Sequence, residues 1–182
     1  MKNRRGSPNS LIYAGCRLKE IQRRGWMRKV GVKNAESVAD HSFRMALLGV
    51  LISTEEGLDS AKVTRMCLIH DLGESVIGDL MPEEKQSEAS HRQLEEEAVT
   101  RILLTLPKRS QKLLLSDWKE LNARLSREAT LAWQIDKLEM SLQAKEYVMQ
   151  GYSYRKLREF DSSRKLSGDL RRILRAYRPH VT

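Results

Sequence analysis

Apolar residues recur along this chain at three- and four-residue spacing, and that rhythm predicts helices from end to end. Leu11, Ala14, Leu18 and Ile21 form the first stripe, and Gly25 is read as the stop of that helix. Val38, His41, Met45, Leu48 and Ile52 form the second. Ser37 stands just ahead of it with Asp40 three positions on, which predicts a capped helix start. That helix runs to about Thr54, and Gly57 ends the unit. Asp59 or Ser60 caps a third helix, in which Val63, Met66 and Cys67 share the side of His70. Residues 87–106 predict a fourth, with Leu94, Ala98 and Ile102 inward, Glu95, Glu96 and Glu97 outward, and Pro107 as its stop. Leu113, Leu114, Trp118 and Leu121 predict a fifth. A long helix from about Glu128 to Gln150 carries two stripes, Leu131-Ile135-Leu138-Leu142 and Trp133-Met140-Tyr147. Leu166, Leu170, Ile173 and Leu174 predict a last helix around Ser163 to Tyr177. No run alternates with period two between hairpin turns. The predicted fold is all-α, one bundle-like domain of six or seven helices.

A chain of 182 residues has room for one sizeable core and little more. Residues 1–10 lack periodicity and are expected to be a mobile basic tail. Residues 11–150 are expected to form the domain, and 151–182 a basic helical extension packed on it. No apolar run follows the basic N-terminus and none approaches a membrane span, so neither a secretory signal nor a membrane is expected. Cys16 and Cys67 are too few for a disulfide framework, so a reduced, cytoplasmic protein is expected.

Charge changes the picture, because the net +9 is unevenly spread. Residues 1–33 hold ten Lys/Arg against one acid, and 151–182 nine against three, whereas the middle holds fourteen against twenty. Basic ends can steer a phosphate ester, attract nucleic acid non-specifically, or be solvated helix faces. For the C-terminal segment the solvated face is the first reading.

The acidic middle contains the candidate chemistry. Leu68-Ile-His70-Asp71-Leu-Gly-Glu74-Ser-Val-Ile-Gly-Asp79 puts one imidazole and three carboxylates into a largely apolar run. His70 and Glu74, four apart, share a face if the helix is continuous. His41 sits in an apolar stripe near a helix start, and Asp136 lies inside a helix buried on more than one side. Each alone reads as a satisfied core residue. Together they offer two imidazoles and two carboxylates from three helices. That donor set suits a divalent first-row ion better than calcium or structural zinc.

These residues carry a family resemblance. His41, His70-Asp71 and Asp136 resemble the H…HD…D signature of the HD-domain metal-dependent phosphohydrolases. Arg24-Gly25-Trp26, Glu36 to Ala46, His70 to Asp79 and Gln134 to Met140 resemble the branch that contains 5′-deoxynucleotidases, over about residues 17–150. The resemblance implies an all-α domain that hydrolyses deoxyribonucleoside 5′-monophosphates to deoxyribonucleoside and phosphate. It implies a divalent metal such as manganese, cobalt or magnesium, and a homodimer. Carried over, His41, His70, Asp71 and Asp136 hold the metal. Glu74 and Asp79 are catalytic and substrate-contacting groups or ligands of a second metal. Arg24 resembles the phosphate-binding arginine, and Trp26 the tryptophan near the sugar.

The chemistry agrees. A phosphate monoester dianion needs its charge offset, an arginine offers two parallel donors to it, and no covalent nucleophile motif is present, which favours attack by water. Glu74 could orient that water or take its proton. Two rivals stand beside this reading. One is an HD phosphohydrolase of triphosphates, cyclic nucleotides or alarmones; the other is a non-enzymatic nucleotide or nucleic-acid binder. The remaining polar and aromatic candidates read as ordinary: His91 and His180 as surface residues, Lys137 as an exposed lysine, Cys67, Trp118 and Trp133 as packing.

Overall fold

In the computed structural model of this protein, residues 8–84 and 87–179 are described. Among them the fold is all-α. The helices are α1 (Asn9–Glu20), α2 (Val38–Glu55), α3 (Ser60–Ile69), α4 (Glu74–Ile77), α5 (Glu88–Leu103), α6 (Lys108–Ala123), α7 (Arg127–Met149), α8 (Tyr154–Leu157) and α9 (Gly168–Ala176). The two four-residue helices, α4 and α8, are turns that redirect the chain rather than layers of the bundle. The expected tail falls largely outside the described residues, as does His180, and α1 already begins at Asn9.

The long helices form for reasons visible in their ends. Ser37 accepts from the Asp40 amide while Asp40 accepts from the Ser37 amide, so α2 starts with the predicted capping box. Asp59, Ser87 and Ser126 cap α3, α5 and α7 one-sidedly, each side chain accepting a backbone amide of the first turn. The expected stop at Gly25 is replaced by a helical turn over Trp26–Val30. That turn ends at Gly31, whose φ of 88° lies in the left-handed region that favours glycine. An isolated antiparallel bridge between Gln22 and Ser37 closes this excursion at its base. Arg23 donates its amide to the Glu36 carbonyl (2.9 Å), and Val38 donates to that of Ile21 (2.8 Å).

Three apolar clusters hold the bundle. The first joins α2, α3, α7 and α9 through Met45, Val63, Met66, Ile135, Leu138 and Leu170. The second joins α1, α5 and α6 to the α2 and α3 ends through Leu18, Val38, Ile69, Leu103 and Trp118. The third seats the 26–35 excursion on the last turns of α7 and on α8 through Trp26, Val30, Tyr147 and Leu157. α9 packs on α7, so the C-terminal segment is covered on its apolar side. On one helix the prediction misplaces one of its three inward residues. On α5 the inward residues are His91, Ala98, Val99 and Ile102, and Leu94 is 48% exposed.

Candidate metal centre

The capping box fixes where α2 begins, and His41 follows one turn later, fully buried. α3 ends at Ile69, and the His70–Gly73 turn separates it from α4. His70 and Glu74 therefore stand on either side of a turn, not on one continuous helix as the spacing predicted. Asp136 comes from the middle of α7. These three elements converge. His41 Nε2 lies 3.5 Å from Asp136 Oδ1 and 3.9 Å from Asp71 Oδ2. His70 Nε2 lies 2.8 Å from Asp71 Oδ2, and the two imidazole centroids are 5.1 Å apart. One ligand atom each from His41, His70 and Asp71 falls within 4.8 Å of the others.

Both imidazoles are oriented from behind. The His41 Nδ1 hydrogen bonds to the Glu139 carboxylate, and that of His70 to the Cys67 carbonyl (2.8 Å). With Nδ1 so used, both buried Nε2 atoms face the cluster: that of His41 has no hydrogen-bond partner, and that of His70 has only the Asp71 carboxylate beside it, without hydrogen-bond alignment. Buried nitrogens left unpaired are costly, and a cation would take up both lone pairs. The donor set of two imidazoles and two carboxylates fits a divalent ion, and this arrangement supports the expected cofactor class without selecting the element.

The site's charges say the same. Burial and Arg23 push the His41 pKa down, but Glu139 and Asp136 outweigh them and lift it to about 9. Burial would raise Asp71 and Asp136, yet the imidazoles, with Arg23 beside Asp71 and Lys137 beside Asp136, hold both well below the usual carboxylate range. Without a metal the pocket gathers protons and cations. Glu74 goes the other way: burial first, then Asp71 and Asp79, raise it well above an ordinary carboxyl.

The structure places the remaining predicted residues as follows. Asp79 sits in the loop after α4, where its Oδ2 accepts the Arg24 amide at 2.5 Å. The Arg24 guanidinium turns away from the cluster and pairs with both Glu84 oxygens at 2.6 and 2.7 Å. Its neighbour Arg23 takes the position expected of Arg24, with Nη1 donating to Asp71 Oδ2 at 3.2 Å. Burial works against the Arg23 charge, but Asp71, Glu74 and Asp136 raise its pKa. Trp26 is 1% exposed. It donates Nε1–H to Glu36 (2.9 Å) and packs on Phe160 and Tyr147 at centroid distances of 4.1 and 5.3 Å.

A cleft opens on the cluster as two lobes of about 360 and 700 Å³. Asp71, His91, Glu95, Asp136 and Lys137 line both. The smaller adds Arg23, Glu74, Asp79, Trp26 and Phe160; the larger adds Trp133, Arg124, Arg92 and Asn122. Phe160 belongs to the C-terminal segment, so that segment forms part of the cleft wall. Lys137 is not free in solvent, since its Nζ lies 2.7 Å from Asp136 Oδ2. Trp133 is partly open to the cleft, with the Arg124 guanidinium 4.6 Å above its ring.

Four further residues of the site had no role assigned from the sequence. Glu139 is fully buried and holds His41; Arg44 donates to its Oε1 through Nε (2.9 Å) and Nη2 (2.6 Å). Arg23 was masked by its arginine neighbour. His91, read as a surface residue, is 7% exposed in the cleft wall.

An all-helical domain with two histidines and two aspartates brought together from α2, the α3 end and α7 defines the HD-domain class. The chain belongs to the HD-domain family, whose model matches residues 16–176. It is similar to the 5′-deoxynucleotidase HDDC2 of Dictyostelium discoideum, 38% identical over 159 residues, which are 81% of this chain and 83% of that one. The protein of that name from Bos taurus is 36% identical over 145 residues, 79% of this chain and 70% of its own length. Among solved structures, a conserved hypothetical protein from Pyrococcus furiosus is 34% identical with a TM-score of 0.69, covering 93% of this chain and 97% of its own. The match extends to residue 176, past the motif blocks that end near 150, in keeping with the place of Phe160 in the cleft.

Proposed function

We propose that this protein is a metal-dependent phosphomonoesterase that hydrolyses deoxyribonucleoside 5′-monophosphates to deoxyribonucleoside and phosphate. One observation supports the reading: two buried imidazole nitrogens converge on two aspartates, with a part-buried arginine on the same cluster. His41, His70, Asp71 and Asp136 would hold the divalent ion, of the manganese, cobalt or magnesium type. When bound, such an ion offsets phosphoryl charge and acidifies water.

The chain's own groups do the rest. Arg23, at the mouth of the smaller lobe, supplies a guanidinium fork for the phosphoryl oxygens. Glu74 faces the same lobe, where burial and the neighbouring carboxylates raise its pKa and so make its carboxylate a stronger base toward a bound water. Asp79 ties the Arg23–Arg24 backbone to the loop after α4, which keeps the fork in place. Trp26 closes the floor of that lobe. Glu74 and Asp79 are also the carboxylates that would serve a second ion.

The protein is proposed to act as a homodimer. Phe43, Leu47, Val50 and Leu51 form one apolar stripe on the outer face of α2, with Phe43 63% and Leu51 58% exposed. Phe43→Glu with Leu51→Glu should give a monomer by light scattering. Cys16 and Cys67 are both free, which supports a cytoplasmic site of action. No helix among the described residues is long and apolar enough to cross a membrane.

The test is phosphate release from deoxy- and ribonucleoside mono-, di- and triphosphates after chelation and re-addition of single metals. Release from deoxyribonucleoside monophosphates alone, and only with metal, is the expected result. Preference for triphosphates or cyclic substrates would overturn the substrate class, and metal-independent release would overturn the mechanism.

A further inference from the structure

His91 and Glu95 stand one turn apart on the inner face of α5, in the wall shared by both lobes of the cleft. α5 lies hard against the metal-side turn: a Cβ at Gly73 would touch the Glu95 backbone at 3.4 Å. His91 Nε2 is 3.0 Å from Glu95 Oε1, which orients the ring. Its Nδ1 is buried and has no hydrogen-bond partner. A buried, oriented imidazole with one unpaired nitrogen in a substrate cleft is a group awaiting a ligand.

The chemistry lacks one component. The leaving group is the 5′-oxygen of a sugar, a strongly basic alkoxide, and its departure is assisted by a proton donor. In-line displacement puts the leaving oxygen opposite the attacking water. Glu74, the group placed to orient that water, lines only the smaller lobe. The leaving oxygen then faces the larger lobe, whose volume of about 700 Å³ accommodates a nucleoside beside Trp133. His91 lies where the two lobes meet. Lys137 lines the same wall, but its ammonium is held on Asp136; imidazole is the side chain that exchanges protons near neutral pH.

We propose that His91, oriented by Glu95, is the catalytic acid that protonates the departing 5′-oxygen. This rests on the phosphomonoesterase reading above. Water oxygen bonds to phosphorus as the P–O5′ bond breaks, and Glu74 takes the water's proton. The electron pair stays on O5′, which takes a proton from His91 Nδ1. The products are hydrogen phosphate and the neutral deoxynucleoside, and solvent returns a proton from Glu74 to His91.

The test compares a deoxyribonucleoside 5′-monophosphate with its 5′-thio analogue, whose bridging sulfur leaves as a thiolate without a proton. Both are assayed with wild type and His91→Asn at saturating Mn²⁺. In the variant, kcat for the oxygen substrate should fall about 10²–10⁴-fold, whereas that for the sulfur substrate should stay within about tenfold. Mn²⁺ affinity and Tm should match wild type. Equal losses on both substrates, no loss on either, or a change confined to KM would overturn the proposal. If His91→Asn does not fold, His91→Gln provides the same comparison. A wild type that releases no phosphate from either substrate would refute the phosphomonoesterase reading itself, a different result from any of these.

Discussion

Glu139→Gln is the sharpest probe of how the metal centre is built. The substitution keeps volume and one carbonyl oxygen but removes a fully buried charge that serves two partners, His41 Nδ1 and the Arg44 fork. A glutamine oxygen can satisfy one of them, and its amide then meets a donor at the other. Arg44 retains Gln143 (2.7 Å) and Glu146 (2.8 Å), so the oxygen is expected to stay with His41 or Arg44 without unfolding the bundle. A hydrogen bond to a charged group contributes about 1.5–3 kcal/mol. Loss of such a partner behind a metal-ligating histidine lowers metal affinity about 10–100-fold. That is about 1.4–2.7 kcal/mol, so the two magnitudes agree. The pH dependence is specific. His41, lifted to about 9 largely by Glu139 against the effect of burial, is protonated near pH 7 in metal-free wild type, and that proton competes with the ion. Removing Glu139 weakens the proton along with the ligand. The variant's deficit should therefore be small at pH 7 and widen toward pH 8.5. Calorimetric titration of Mn²⁺ into chelator-treated protein under argon measures it, with circular dichroism as the control for folding. Equal affinity in both proteins across that range would refute the positioning role of Glu139.

Three further outcomes follow from the same geometry. Mn²⁺ at about a hundredfold its Kd should stabilise the protein by about 2.7 kcal/mol, hence raise Tm by about 5–11 °C for a chain of this size; an unshifted Tm in calorimetry would mean that no ion binds the folded state. Arg23→Lys should raise KM for the monophosphate about 10–100-fold through loss of a charged fork, whereas Arg24→Lys should leave KM within about twofold; the reverse order in steady-state assays would restore Arg24 to the phosphate. Trp26→Ala should cost about 3–5 kcal/mol of stability in denaturant melts and lower turnover of deoxy- and ribonucleotides alike; a selective gain on ribonucleotides would instead make Trp26 a wall against the sugar.

The helices were legible because each carries its own stripe and cap; Ser37, Asp59 and the apolar face of α2 appear where the pattern puts them. The His41, His70-Asp71, Asp136 convergence was legible only as a set, since each residue alone looks like ordinary core. What was lost lies where periodicity is silent. In the irregular stretch after α1, adjacent arginines differ in direction by the backbone path alone, and the Gln22–Ser37 bridge that sets this path joins residues fifteen apart in sequence. On α5 one marker of three fails. Ala98 and Ile102 face inward as their spacing predicts, Leu94 does not, and His91, hidden by polar neighbours, completes the inward side. Glu139 stands one turn beyond Asp136 in a helix buried on several sides, so no apolar stripe singles it out.

One consequence of the electrostatics concerns order of binding. Asp71, Asp136 and Glu139 are all held ionised, and Arg23, Arg44 and Lys137 answer them one for one. The arginines and the lysine are therefore already engaged by the protein's own carboxylates. A phosphate dianion approaching this set would have to compete with Asp71 for Arg23 and with Asp136 for Lys137. A divalent ion held on Asp71 and Asp136, as proposed, would shift that balance, because its charge would offset both carboxylates and weaken their competition with the phosphate. The carboxylates proposed to hold the ion would thus also govern how firmly Arg23 meets the substrate. That coupling accounts for Arg23 and Lys137 sitting against the carboxylates proposed to hold the ion instead of standing in open solvent.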